Sequence, residues 1–201
     1  MRALAKLTSI AASLPEENID TDIIFPARFL LITAKVGLGQ YAFYERRFNS
    51  DGTELHNFPL NSEPYRTSSI LLAGDNFGCG SSREQAPWAL LDLGYRCIVS
   101  TSFGEIFYAN CFRNGMLPIV VTATQLALLQ RQSAQKLPLT VDLEDRKLYP
   151  CESESVAFEI AESRRNALLN GWDEIALVIN QDSRSIAQFE ITQHQRMPWL
   201  Y

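Results

Sequence analysis

The residues best suited to chemistry are gathered in a glycine-rich segment at positions 74–84, which has the sequence GDNFGCGSSRE. A stretch typical of a strand precedes the segment and a helical stretch follows it, so its backbone amides and the helix dipole can bind an anion. The spacing differs from both G-x-x-x-x-G-K-[ST] and G-x-G-x-x-G, and no lysine follows Gly80. The segment is therefore expected to bind a phosphate or a carboxylate, and a nucleotide triphosphate loop is disfavoured.

Ser81 is the first candidate for a reactive group. With free amides around it and Arg83 beside it, its hydroxyl can be polarised, or its alkoxide stabilised, by positive potential. Two structural alternatives stay open: a bond to a loop carbonyl, or an S-x-x-E capping box with Glu84. Pro87 argues against the box, because a helix that began at Ser81 would place Pro87 at about the sixth helical position, where its missing N–H costs a hydrogen bond. A start near Glu84 leaves Pro87 in the tolerant first turn and leaves Ser81 and Ser82 in the loop.

The elements that must position this segment predict an α/β fold. Residues 69–73 and 97–100 have the composition of short buried strands, and the helical stretch between them completes a βαβ unit. A second helix fits residues 103–114, with Gly115 where a C-terminal glycine cap is expected, and another strand fits 118–121. The sheet is therefore expected to be at least partly parallel.

The C-terminal half predicts an antiparallel addition. Residues 124–131 favour a helix, whereas 139–143 and 147–160 alternate in polarity like antiparallel strands. A further helix fits residues 163–170, and Gly171 can end it. The predicted fold class is α/β, a partly parallel sheet with helices and an antiparallel addition.

The whole chain, residues 1–201, is expected to form a single domain. Its 46% hydrophobic content allows one core, and no repeat or long linker divides it. Residues 35–66 form a loop-rich insertion, where glycine, asparagine and proline interrupt aromatic residues without a sustained period. Residues 181–201 are expected to form a C-terminal tail.

Composition and charge exclude several classes of function. The net charge is −5 and the eighteen lysines and arginines are scattered, which argues against a nucleic-acid surface. The longest apolar runs fall far short of the roughly 20 residues that a bilayer span requires. The first residues lack the sustained apolar region of a secretory signal. We therefore expect a cytoplasmic protein that binds neither nucleic acid nor membrane.

The cysteines and histidines offer only one alternative chemistry. The four cysteines are widely spaced without a C-x-x-C pair, so no metal site is expected on this chain. Cys79 lies in the glycine-rich segment, where a helix N-terminus can activate a thiolate, and a stand-alone enzyme with a Cys79 nucleophile is therefore an alternative. His56 and His194, in the insertion and the tail, are expected to be exposed surface groups rather than bases.

Three stretches resemble the small subunits of the isopropylmalate dehydratase family. The most specific is GCGSSRE at 78–84, the second is NIDTDII at 18–24, and the third lies within 102–118 and ends in GMLP. Together they span most of residues 16–120, and the remaining chain agrees with the family in length and order of elements.

This resemblance implies a fold and an activity. The fold is an aconitase-like swivelling domain, and the partner is a large subunit that carries a [4Fe–4S] cluster, so the cluster ligands would not lie on this chain. Members of the family are hydro-lyases of leucine biosynthesis. They isomerise 2-isopropylmalate to 3-isopropylmalate through a dehydrated maleate intermediate.

The resemblance also implies roles for particular residues. Ser81 corresponds to the family's alkoxide base, and Ser82 and Arg83 to residues that contact a substrate carboxylate, for which a guanidinium fork is suited. The iron of the large subunit would act as a Lewis acid on the departing hydroxyl. Thr21 and Asp22 can approach the substrate, although Asp and Thr before an apolar run can equally form a turn or a cap.

Two departures from the family pattern bear on the substrate. Gln85 stands where the family usually has histidine, and glutamine can neither hold a positive charge nor shuttle a proton. Residues 36–41 replace a more basic, threonine-containing stretch in the region that helps to select the substrate side chain in the family. The alternatives are therefore a related hydro-lyase for another 2-hydroxy diacid, or a non-catalytic paralogue.

Overall fold

The computed structural model describes residues 1–201 and contains two four-stranded sheets. The strands are β1 (Lys6–Ile10), β2 (Ala12–Leu14), β3 (Ile70–Ala73), β4 (Cys97–Ser100), β5 (Leu117–Val120), β6 (Pro138–Asp142), β7 (Lys147–Pro150) and β8 (Val156–Ala157). The helices are α1 (Thr21–Ile24), α2 (Tyr44–Arg47), α3 (Gln85–Leu93), α4 (Glu105–Arg113), α5 (Ala123–Ala134), α6 (Glu162–Asn170) and α7 (Glu174–Arg196). None of these helices combines the length and the apolar content needed to cross a membrane.

One sheet is parallel, in the order β2-β3-β4-β5, and the predicted βαβ unit is confirmed as β3-α3-β4. Successive side chains of a strand point to opposite faces of a sheet. Both faces of this sheet are covered by an apolar core. Leu71 and Ala73 face a core shared with α1, α3 and the insertion, whereas Ile70 and Leu72 face a second core shared with the other sheet. This double burial explains why β3 is a continuous apolar run.

The other sheet is antiparallel, in the order β1-β6-β7-β8, which confirms the predicted antiparallel addition. Its first strand was not predicted, because Lys6–Ile10 alternates weakly and none of its side chains is fully buried. A single residue, Ala11, separates β1 from β2, so the chain passes directly from one sheet to the other. The N-terminal residues therefore hold the two sheets together.

The insertion, residues 35–66, contains only helical turns of three or four residues. It folds around a buried guanidinium. Arg47 donates hydrogen bonds to the carbonyl oxygens of Gly39 (2.8 Å) and Ala42 (3.2 Å) and to Oδ1 of Asn61 (3.0 Å). Burial lowers the pKa of Arg47, and these acceptors compensate the desolvated charge.

The C-terminal residues differ from the sequence prediction. Helix α6 ends as expected at Gly171, which has a left-handed conformation. The predicted tail at 181–201 is helical to Arg196, as part of the 23-residue α7. Asp173 caps this helix by accepting a hydrogen bond from the amide of Ala176 (2.8 Å).

Candidate active site

The glycine-rich segment connects β3 to α3. Helix α3 begins at Gln85, with Glu84 as its N-cap residue and no side-chain cap, so the predicted start is confirmed and the S-x-x-E capping box is absent. Pro87 is the third helical residue, where a missing N–H is tolerated. Ser81 and Ser82 consequently lie in the loop, and both are exposed.

The path of the loop depends on Gly78 and Gly80, which have φ angles of +73° and +95°. The amide of Gly78 donates to the carbonyl of Ile19 at 2.7 Å, and a Cβ at Gly78 would lie 2.2 Å from the ring of Phe107. The loop is therefore clamped between the segment before α1 and the first half of α4. Only glycine fits this clamp.

We expect Gly78→Ala to lower the free energy of unfolding by about 3 kcal/mol, because the new methyl group overlaps the Phe107 ring in addition to straining the backbone. Gly52→Ala is the matched control, since Gly52 also has a positive φ (+83°) but no atom within 4 Å of its added Cβ. Chemical denaturation of both variants measures the difference. Equal losses would show that the contact with Phe107 contributes nothing.

Thr21 fixes the position of Ser81 through two hydrogen bonds. The two hydroxyl oxygens lie 2.8 Å apart, and the Ser81 amide donates to Thr21 Oγ1 at 3.1 Å. Thr21 is fixed in turn, because its own amide donates to the carbonyl of Cys79 at 2.9 Å and because Asp20 caps α1 through the amide of Ile23. The Thr21 proton has no other acceptor in the structure, so it can be donated to the Ser81 oxygen.

Thr21 is only 1% exposed, which changes the role that it can have. The sequence predicted a substrate contact at this position, whereas the buried hydroxyl is suited to orienting Ser81 and to stabilising its alkoxide. The sequence also left open a cap or a turn at this position. The N-cap of α1 is the neighbouring residue Asp20.

We expect Thr21→Val to lower kcat about 30-fold with little change in KM, because a charge-assisted hydrogen bond to the Ser81 alkoxide is lost. The pH at which kcat reaches half of its maximum should also rise. Thr21→Ser keeps the hydroxyl and should restore most of the activity. Steady-state kinetics against pH on the complete enzyme checks this, and an unshifted profile for Thr21→Val would contradict it.

Arg83 forms an ion pair with Asp22, so the structure brings together another two of the predicted site residues. The Arg83 side chain is 17% exposed and that of Asp22 is 54% exposed. An ion pair of this kind is a structural role for Arg83 besides contact with a substrate carboxylate. Glu84 is not the partner, since it accepts a hydrogen bond from Nδ2 of Asn114 at 2.9 Å. The guanidinium retains further N–H donors for a ligand.

The loop also presents unused backbone donors. The amides of residues 82–85 donate no hydrogen bond within the chain, and they lie at the N-terminus of α3 next to Arg83. Free amides, a helix N-terminus and a guanidinium together favour an anionic group with several oxygens. A carboxylate bound here would lie beside the Ser81 hydroxyl.

A second hydrogen-bond network, which the sequence did not reveal, holds the first half of the loop. The carboxylate of Asp75 accepts from the hydroxyls of Thr101 (2.7 Å) and Ser102 (2.6 Å), which lower its pKa. The Ser102 oxygen accepts from the amide of Asn76, whose side chain donates to Asn18. The sequence signal was that Asn18, Asp75, Asn76 and Ser102 fall within the glycine-rich segment or the family-like stretches, which did not show that they contact one another.

Cys79 is a poor nucleophile in this structure. Burial raises the pKa of its thiol, and the negative charge of Asp20 raises it further, so little thiolate forms near neutral pH. His56 and His194 are both exposed, as predicted, and His194 stacks on Tyr201. The geometry therefore disfavours a cysteine–histidine mechanism.

The chain offers no donor set for a metal ion. No group of three or more His, Cys, Asp or Glu side chains comes together. Cys97 and Cys111 are buried in the cores, whereas Cys151 is exposed. A metal ion or an iron–sulfur cluster does not fit the residues present here, and we assign no step to one on this chain.

Comparison with known proteins relates both the fold and the sequence of this chain to one family. A family model described as the aconitase C-terminal domain matches residues 1–124. A crystal structure of 3-isopropylmalate dehydratase from Methanocaldococcus jannaschii matches with a TM-score of 0.66 and 23% identity, covering 92% of this chain and 98% of that one, which bears on the fold alone. The chain thus belongs to the class of aconitase C-terminal domains.

More similar relatives identify the family within this class. The 3-isopropylmalate dehydratase small subunits of Brucella canis and Brucella anthropi are 47% and 48% identical over 201 residues, covering 99% of this chain and 100% of each relative. The chain therefore belongs to the family of 3-isopropylmalate dehydratase small subunits.

Proposed function

We propose that the chain is the small subunit of a 3-isopropylmalate dehydratase, a hydro-lyase that isomerises 2-isopropylmalate to 3-isopropylmalate in leucine biosynthesis. It would act in the cytoplasm, in a heterodimer with a large subunit that binds a [4Fe–4S] cluster. The observation that carries this proposal is the Ser81 hydroxyl, held 2.8 Å from the buried Thr21 hydroxyl beside Arg83 and the free amides of the loop.

The chemistry explains why a serine is held in this way. The C–H proton to be removed lies next to an ionised carboxylate, so its removal requires a strong and well-placed base. A neutral hydroxyl is too weak, whereas a Ser81 alkoxide, stabilised by Thr21 and by positive potential, meets the requirement. Ser81 takes the proton from the carbon during dehydration and returns a proton during rehydration.

Substrate binding falls to the groups that flank Ser81. Arg83, Ser82 and the amides of the loop can hold the carboxylate next to the reacting carbon and balance the charge that develops on it. Asp22 bears the wrong charge for this contact, and its ion pair supports a role in orienting Arg83. The residues of this chain therefore provide the base and one carboxylate site.

The other half of the active site must come from the large subunit. Ser81 and Ser82 are exposed, and no metal-binding group lies on this chain. When bound by the large subunit, the cluster supplies a Lewis acid for the hydroxyl that is lost. A partner encoded with a C-x-x-C pair and a distant third cysteine fits this requirement.

The proposal is tested by co-expression with the cognate large subunit. We expect the two chains to co-purify and to convert 2-isopropylmalate to 3-isopropylmalate, with the isopropyl diacid preferred over citrate and over malates with other side chains. The small subunit alone is the control and should show no turnover. A stable and cluster-loaded complex that turns over another 2-hydroxy diacid faster would replace the substrate assignment.

Gln85 motivates one second candidate, a non-catalytic paralogue. It is the first residue of α3, four positions beyond Ser81, and its side chain forms no hydrogen bond in the structure. We expect the wild-type complex to be active and Gln85→His to change kcat by less than about tenfold, because the amide groups and Arg83 already supply positive potential. Steady-state kinetics of the wild-type and Gln85→His complexes distinguish the two candidate functions. A gain far above tenfold from a nearly inactive wild type would favour the paralogue.

A further inference from the structure

Glu84 places a negative charge next to the proposed anion site. It follows Arg83 in the chain and is the N-cap residue of α3, and its own amide is one of the unused donors of the loop. Carboxylates are attracted to the amides and the dipole of a helix N-terminus. The Glu84 carboxylate nevertheless forms no cap on α3, and the ion pair of Arg83 is with Asp22. The chain therefore contains a carboxylate that is able to compete with a substrate but does not occupy the site.

Asn114, the C-cap residue of α4, binds this carboxylate. Its Nδ2 donates to Glu84 Oε1 at 2.9 Å and to the carbonyl oxygen of Asn110 at 2.9 Å. Its Oδ1 accepts a hydrogen bond from Trp88 Nε1 at 2.8 Å. Both N–H groups and the oxygen of the amide are thus engaged, which fixes the side chain with one N–H toward Glu84.

Trp88 connects this contact to the helix that carries the site. It lies four residues after Glu84, on the same face of α3, and is half-buried. Lys35 Nζ lies 4.2 Å from the centre of the Trp88 ring, where a cation is attracted by the ring face. Because Asn114 contacts both Trp88 and Glu84, the end of α4 fixes the first turns of α3 together with the carboxylate.

We propose that Asn114 is a positioning residue for the reaction. By binding the Glu84 carboxylate, it keeps this charge away from Arg83 and the loop amides, where the substrate carboxylate would bind. Without this contact the Glu84 carboxylate would itself satisfy those donors, because unpaired amides at a helix N-terminus favour an anion. The inference rests on the proposed function, since it requires the substrate to bind at these groups.

Asn114→Asp tests the contact with little change of shape. The new carboxylate can still accept from Trp88, but it puts an oxygen in place of the N–H that Glu84 binds, so two carboxylates face each other. We expect Glu84 to turn toward the loop amides and KM to rise about tenfold, whereas kcat should stay within about threefold of wild type because the contact between Ser81 and Thr21 is unchanged. Steady-state kinetics use the complete enzyme and the 2-hydroxy diacid that the wild type converts fastest.

Glu84→Gln in the Asn114→Asp background tests whether the freed carboxylate is the cause. The new amide at position 84 can donate to the carboxylate at position 114, which restores the hydrogen bond with donor and acceptor exchanged. We expect the KM of the double variant to return to within about twofold of the value for Glu84→Gln alone. If the double variant kept the full rise in KM, the Glu84 charge would not be responsible and the proposal would be overturned.

Asn170→Asp is the matched control. Asn170 also precedes a glycine at the end of a helix, and its Nδ2 donates to the carbonyl oxygen of the residue four positions earlier, Asn166, at 2.8 Å. It forms no hydrogen bond with Glu84, so its change to aspartate should leave KM at the wild-type value. Equal rises in KM for Asn170→Asp and Asn114→Asp would assign the effect to a negative charge at a helix end and contradict the proposal.

A crystal structure of the Asn114→Asp chain, at a neutral pH where both carboxylates are ionised, separates this inference from the proposed function. We expect the Glu84 carboxylate to bind a loop amide or Arg83. A Glu84 side chain that points to solvent would overturn the inference even if the wild-type complex is active, and so would an unchanged KM. A wild-type complex without hydro-lyase activity would instead overturn the proposed function, and the crystal structure would still decide whether Asn114 restrains Glu84.

Discussion

Ser81→Ala in the complete enzyme should lower kcat about 1000-fold while leaving KM within about threefold of the wild-type value. The substitution removes the proposed base, whereas Arg83 and the loop amides remain available to bind the carboxylate. Thr21 loses one partner, but its oxygen still accepts the amide of residue 81. Steady-state kinetics on 2-isopropylmalate, with cluster content matched between preparations, gives both constants.

Ser82→Ala is the informative comparison, because Ser82 is the neighbouring exposed serine in the same loop. If Ser82 contacts the substrate carboxylate, its loss should raise KM by about tenfold, a smaller effect than the loss of the base and one on a different constant. Both variants should keep the wild-type unfolding midpoint and co-purify with the large subunit. Turnover of Ser81→Ala within tenfold of wild type would remove Ser81 from the role of base.

Much of the loop could be predicted because its constraints are local. Pro87 restricts where α3 can begin, and that single restriction placed Ser81 and Ser82 outside the helix, as the structure confirms. Gly78 and Gly80 have positive φ angles, and glycine is the residue type that adopts such angles most readily. Short-range chemistry of this kind can be inferred from one sequence.

The contacts across the loop could not be predicted, because they join residues distant in sequence. Thr21 and Ser81 are separated by 60 positions, and their contact depends on the turn at α1 packing against the loop. The sequence placed Thr21 near the site but could not show that its hydroxyl is buried. Residues 181–201 were expected only to be a tail, whereas most of them belong to α7, which ends at Arg196.

The short helix α1 contacts two residues of the candidate site. Thr21, at its first residue, contacts the proposed base, and Asp22, at its second, contacts the proposed carboxylate-binding arginine. A shift of this turn would therefore move both groups together. The family-like NIDTDII stretch is thus better explained by orientation of the loop than by direct contact with a substrate.

Arg83→Ala should lower kcat/KM about 100-fold, chiefly through KM, because a charge-assisted contact with the substrate carboxylate is lost. Arg83→Lys keeps the charge but not the planar fork, so it should recover only part of the loss. Asp22→Asn should lower kcat/KM about tenfold. The substitution has two opposing effects: it removes a carboxylate that repels an anionic substrate, and it releases the Arg83 guanidinium from its ion pair. The loss of the ion pair should dominate, because the Asp22 side chain is largely exposed and solvent screens its charge.

A double-mutant cycle separates the two roles open to Asp22. If Asp22 acts only by orienting Arg83, then Asp22→Asn combined with Arg83→Ala should be no worse than Arg83→Ala alone, because nothing remains to be oriented. If Asp22 touches the substrate by itself, the two losses should multiply to about 1000-fold. Kinetics of the four enzymes with the same large subunit measure the coupling. A multiplicative result would assign Asp22 to the substrate contact and contradict its role in positioning.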